Sequence, residues 1–221
     1  MFVGHYAPAF ALKAVRKSPG LAAGFIAVQL VDIGFFSLTY FGIEKWRPNP
    51  SLEGMRKIDL YYMPYTHSLV GALAWAFAAG ALAWALSPVG RKAIGGAIIA
   101  LLVFSHWLLD LVVHRPDLAL FDDHDKVGFG LWNFPEIAMP LEIGLLLIGF
   151  AVYLSATAPR GTAGRIAPWV VLLVLFAMQG IDWFLPVSSD PLQFTVLALV
   201  SYFGVAALGF WLDRTREPRS S

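Results

Sequence analysis

The stretch SHWLLDLVVH, residues 105–114, decides how this chain is read. It closes an otherwise apolar run, AIGGAIIALLVF (93–104), and carries an ionisable side chain at every fourth position: His106, Asp110 and His114. On a helix, such positions are offset by about 40° and rise by about 6 Å, so the three groups share one slanting stripe. Ionisable groups at membrane depth cost several kcal/mol unless they pair, coordinate an ion or line water, which makes the stripe a functional candidate. The plainer alternative is a helix-packing hydrogen bond, with His114 reaching the interface.

The surrounding sequence supports a membrane reading. The chain has 221 residues, of which 58% are hydrophobic and 14% charged, and its mean hydropathy is +0.66. That balance lies outside the range of soluble domains. Six apolar runs, at 20–42, 66–87, 92–114, 135–156, 167–186 and 191–212, are each close to the length of a helical crossing. Prolines 19, 64, 88, 168 and 191 mark the approaches to helices. The expected fold is an all-α polytopic membrane bundle of about six transmembrane helices plus an N-terminal re-entrant or interfacial helix. It forms one integral-membrane domain, 1–221: the N-terminal helix in 1–19, site-bearing helices in 20–156 and two additional spans in 157–221.

Basic residues gather in alternate connections: Lys13, Arg16 and Lys17, then Arg91 and Lys92, then Arg160 and Arg165, then Arg214, Arg216 and Arg219. By the positive-inside rule that face is cytoplasmic, with both termini inside. The opposite loops, about 43–65 and 115–133, are long enough to act as lids or solvated connections. A removable signal peptide is not expected, because the first residues place apolar before basic. A net charge of +1 says little about partners, and no nucleic acid is expected among them. Without cysteine, any metal must be held by nitrogen and oxygen.

Other ionisable groups lie within or beside the apolar runs. Asp32, in AVQLVDIGFF, has no basic residue within a turn, so its partner comes from another helix or it is protonated. His67 opens the second run between Thr66 and Ser68, as a site residue or as an interfacial cap. Glu142 lies two turns into the fourth run near Pro140, with Glu136 closer to the interface. Asp182 is read as a hydrogen-bonding group within the bundle, and Asp122, Asp123, His124 and Asp125 as a solvated acidic turn. His5 has two readings: a half-helix over about 7–17 carries it to the midplane beside Asp32 and His106, or an amphipathic helix leaves it in water on the leaflet surface.

The order Gly4–His5, LVDI (30–33), THSL (66–69) and SHxxxD (Ser105, His106, Asp110) resembles the bacterial inner-membrane metal-dependent hydrolases, a family that includes a LexA-regulated member and is distantly similar to zinc-dependent phospholipase C. The resemblance covers the first half of the chain, to about residue 115. It implies a multi-spanning protein of the bacterial inner membrane with a mono- or dinuclear metal site and hydrolytic activity. Where family members tend to have PDIDH this chain has VDIGF, and where they usually have HR before THS it has YYMPY. These departures favour a single metal over a dinuclear site, with His114 or Glu142 as replacements. The last two spans have no counterpart.

Residues and resemblance together lead to an integral-membrane hydrolase. Its metal ligands are expected to be Asp32, His67, His106 and Asp110, with His5 if it reaches them, and Glu142 or His114 moves protons. Zinc is the default ion, with manganese or iron as alternatives. The expected partners are membrane lipids and a lipid-like ester or phosphoester substrate; the oligomeric state stays open. The competing reading is a proton- or cation-coupled transporter or channel using the same groups, and a third is a metal-stabilised structural protein.

Overall fold

Hydrocarbon offers backbone groups no partners, so each apolar run must satisfy its own N–H and C=O groups, and a helix does so within one segment. The computed structural model describes residues 1–49, 51–52, 55, 57–186, 188 and 190–219. Its helices are α1 (Tyr6–Leu12), α2 (Leu21–Val28), α3 (Leu30–Tyr40), α4 (Leu69–Leu86), α5 (Lys92–Val113), α6 (Pro135–Ala156), α7 (Gly161–Phe184) and α8 (Pro191–Thr215). Five of these, α4 to α8, are long and apolar enough to cross a membrane, and α2 with α3 forms a bent sixth candidate. The expected all-α, multi-pass architecture therefore stands. Strands are confined to the ends of the bundle: β1 (Lys45–Pro48) pairs antiparallel with β2 (Ile58–Tyr62), and β3 (Thr157–Pro159) with β4 (Arg216–Pro218).

Three departures from the expected spans have physical causes. The run 20–42 is not one straight helix; α2 and α3 meet at 54°. Neither Pro nor Gly sits at the break. Gln29 leaves helical geometry there, and its Nε2 donates to the Phe2 carbonyl at 3.4 Å, so a tertiary contact accompanies the kink. The bend sets Asp32 in the first turn of α3, where the helix dipole favours a carboxylate.

Helix α7 begins at Gly161, and Pro168 lies inside it instead of marking its approach. A proline cannot donate to the carbonyl four residues earlier, here Gly164. Arg216 supplies that donor through Nη1 at 2.7 Å, while its other nitrogens bond Thr157.

The N-terminal segment enters the bundle. A 3-10 turn, Val3–His5, leads into α1, and most of residues 1–10 are buried. Of the two readings for this segment, the re-entrant one fits, although its helix is shorter than expected and ends at Leu12. Entry requires α1 and α6 to approach closely. A Cβ on Gly149 would lie 2.4 Å from the Ala7 carbonyl oxygen, so only glycine fits. The same small-residue logic operates between α4 and α5, where a Cβ on Gly96 would lie 2.8 Å from the Gly80 carbonyl oxygen.

Gly149→Val is expected to push α1 off α6 and destabilise the protein by about 1–3 kcal/mol. Thermal unfolding in detergent, followed by tryptophan fluorescence, reads this directly; an unchanged midpoint would refute the dependence of α1 on this contact.

Candidate metal centre

Helix α5 presents His106 and Asp110 on its buried face, and His114 is its C-cap, so the i, i+4 stripe forms as its spacing predicts. His67 immediately precedes Ser68, the N-cap of α4. Asp32 comes from α3 and His5 from the 3-10 turn. These four elements bring the predicted ligands together. His67 Nε2 lies 3.3 Å from Asp32 Oδ1 and 3.8 Å from Asp110 Oδ2; His106 Nε2 lies 3.6 Å from Asp32 Oδ1 and 3.0 Å from Asp110 Oδ2.

The Nδ1 atoms determine what those Nε2 atoms can do. His106 Nδ1 sits 2.7 Å from the Val28 carbonyl, an acceptor only, so it must carry the proton. Thr66 Oγ1 donates to Glu44 Oε2 at 2.6 Å, which leaves it an acceptor for His67 Nδ1–H at 2.9 Å. In neutral rings, both Nε2 lone pairs therefore face carboxylate oxygens. Acceptors facing acceptors repel unless a positive charge lies between them. His106 Nε2 is fully buried and makes no hydrogen bond among the described residues.

A divalent cation between the rings and the carboxylates would relieve that repulsion. Ligands at about 2.0–2.2 Å from a tetrahedral ion are separated by about 3.3–3.6 Å. The carboxylate–imidazole separations, 3.0, 3.3, 3.6 and 3.8 Å, lie around that edge, but the two carboxylates fall in different three-residue groups, so the four side chains do not form one closed ligand set. Asp32, His67 and His106 have ligand atoms within 4.8 Å of one another, as do His5, His106 and Asp110. A chamber of about 30 Å³ adjoins the cluster, lined in part by Asp32, His67, Asp110, His114, Trp132 and Tyr202. It has room for a water molecule.

The other oxygen of Asp110 has its own surroundings. Oδ1 lies 2.7 Å from the Met1 amino nitrogen, 3.1 Å from His5 Nε2 and 3.5 Å from His114 Nε2. His5 also stacks on His106, with centroids 3.8 Å apart and planes 5° apart. His114 is held from behind by Asp117, 2.8 Å from its Nδ1, and packs on Trp132 at 4.0 Å. It thus stands between two carboxylates at the chamber wall.

Glu142, the other residue expected to move protons, does not line the small chamber. It is buried, and its Oε1 accepts from the backbone N–H groups of Phe2 and Gly4, anchoring the re-entrant segment that carries His5. Glu136 is exposed. Asp182 accepts from Gln179 Nε2 at 3.2 Å within the bundle, as read from the sequence. The acidic turn around Asp122 and Asp125 lies largely in solvent.

Three supporting residues escaped sequence reasoning. Tyr202 donates its hydroxyl to Asp32 Oδ2 at 2.8 Å, leaving Oδ1 to face the histidines. Within the apolar run of α8 a tyrosine gives no signal of that role. Glu44 receives Thr66 and two backbone N–H groups, those of Tyr65 and Thr66. Burial pushes its carboxyl above the ordinary range, against those hydrogen bonds. Asp117 was legible in principle, because HRPD sets it three residues beyond His114.

No family model, no curated protein and no solved structure matches the chain.

Thr66→Val removes the acceptor that fixes the His67 ring. Outer-sphere losses of this kind weaken metal binding about 10–100-fold. Zinc titration of the apo-protein in detergent, by competition with a chromophoric chelator, is expected to show that weakening with unchanged stoichiometry. Equal affinity for variant and parent would refute the relay from Glu44 through Thr66 to His67.

Proposed function

We propose that the protein is an integral-membrane, metal-dependent hydrolase of a lipid or other amphiphilic ester or phosphoester. One observation carries the reading: two imidazoles with committed Nδ1 protons aim bare Nε2 atoms at two carboxylates, 3.0–3.8 Å away, in two overlapping groups of three possible ligands that share His106. His67, His106, Asp32 and Asp110 are the proposed ligands. His5 braces the set by contacting Asp110 Oδ1 and stacking on His106. The resemblance to bacterial inner-membrane metal-dependent hydrolases supports the same reading and an inner-membrane location, and the alternation of basic connections supports cytoplasmic termini.

When bound, a divalent cation, zinc by default, supplies a Lewis acid and a source of nucleophilic water near neutral pH. The chain supplies the rest. His114, oriented by Asp117, takes or returns a proton at Nε2 on the chamber wall. Tyr202 fixes the Asp32 carboxylate. Phe35 and Phe36 line the chamber and limit its water. A compact cluster beside a small chamber favours a reaction centre over the transport path that the same residue types would otherwise suggest.

Purified protein is expected to hold stoichiometric metal, and His106→Ala and Asp110→Ala to lose it; elemental analysis showing equal content in all three would remove the centre. His114→Gln is expected to retain metal while hydrolysis of a lipid ester falls about 10²–10⁴-fold. Unchanged turnover would exclude His114 as the proton-moving group.

A further inference from the structure

A second cavity, of about 330 Å³, runs between the ends of α7 and α8 that are joined by residues 185–190. Its walls are largely apolar, including Met178, Ile181, Leu185, Leu197 and Ala198. Both helices are long and apolar enough to span a membrane, so a lateral opening between them would face hydrocarbon. From Gln193 to Tyr202 the α8 wall rises about 14 Å, close to half the thickness of a bilayer core. Asp182, Ser188 and Gln193 add polar groups to this otherwise apolar lining.

The groove adjoins the small chamber beside the histidines across a shared wall. Phe36, Ile58, Phe194 and Tyr202 line both the groove and the small chamber beside the histidines. Tyr202 marks the boundary, with its ring on the groove and its hydroxyl on Asp32 at 2.8 Å. A largely apolar groove that ends at Tyr202, whose hydroxyl bonds Asp32, has the form required by a molecule with a long chain and a polar, reacting end. The chamber alone is too small for such a molecule.

We propose that the groove between α7 and α8 holds one acyl chain of a membrane lipid, placing the lipid's polar end at the chamber. The identity of that polar end as substrate rests on the hydrolase reading; binding of the chain does not. Phe36 and Phe194 form the apolar neck between the two compartments, so chain length and branching are selected along α8 and the reacting bond is selected at the histidines.

The test uses the full chain in phosphatidylcholine nanodiscs doped with a phosphatidylcholine that carries a photoactivatable diazirine in one acyl chain. After irradiation, peptide mapping is expected to find label concentrated on 178–185 and 194–202 relative to the exposed face of α4 around Leu73 and Phe77. Ala198→Trp, and independently Met178→Trp on the facing helix, are each expected to reduce groove labelling about tenfold, the cost of leaving two or so methylenes outside it. The thermal midpoint is expected to hold in both, and if one variant fails to fold, the other and the parent's label map decide the matter. Label spread evenly over α4 and α8, or undiminished in a folded groove variant, would overturn the proposal. Labelling requires no turnover: concentrated label in a protein without metal or hydrolysis would keep the groove and sink the hydrolase.

Discussion

Everything in this bundle is arranged around the buried carboxylate of Asp110. Its Oδ2 faces His106 and His67, and its Oδ1 faces His5, His114 and the Met1 amine. A carboxylate removed from water costs several kcal/mol unless positive charge or hydrogen-bond donors surround it. A second carboxylate, Asp32, shares the same two imidazoles, so the demand for positive charge doubles where no Lys or Arg among the described residues pairs with either carboxylate. Protonated imidazoles would meet part of that demand. The ring orientations, with Nδ1 committed to Val28 and Thr66, suit a cation between the rings and the carboxylates equally well, and the proposed metal follows from that geometry.

Holding five ionisable side chains in so small a volume requires backbone that an unbroken helix cannot provide. Two interruptions supply it. The kink at Gln29 turns α3 so that its first turn, with Asp32, points into the cluster, while the Val28 carbonyl at the same break fixes His106. The re-entrant segment brings His5 from the opposite side, and it is tied down by Glu142 at its backbone and admitted by Gly149. Irregular backbone at such depth is tolerated where protein encloses it, and this segment is enclosed almost completely.

What could be read beforehand was whatever depended on local period and on the intolerance of hydrocarbon for charge. The stripe His106–Asp110–His114, the membership of Asp32 and His67, and the number of candidate spans all belong to that class. The kink was hidden because its partner, the Phe2 carbonyl, comes from a segment 27 residues away and no Pro or Gly announces it. Pro168 looked like a helix boundary because the donor that replaces its missing N–H, Arg216, is 52 residues beyond Gly164. Glu142 carried the right chemistry for a proton carrier, but its depth along α6 matched the backbone of Phe2 and Gly4. Tyr202 and Glu44 act through one hydroxyl and one carboxylate, neither of which leaves a periodic trace.

The supports of the two histidines differ in a way that bears on how the centre works. His106 is fixed by a main-chain carbonyl at the kink, so its position follows the rigid packing of α2, α3 and α5. His67 is fixed through Thr66 by Glu44, which adjoins the β1–β2 hairpin at the end of the bundle. Trp46 and Ile58 from that hairpin also line the chamber. The hairpin is therefore mechanically joined to one ligand and sterically joined to the space beside it. A displacement that widened the chamber would pull on the relay to His67 while leaving His106 in place, so access to the cluster and the orientation of one of its imidazoles are linked through a single short hydrogen-bond chain.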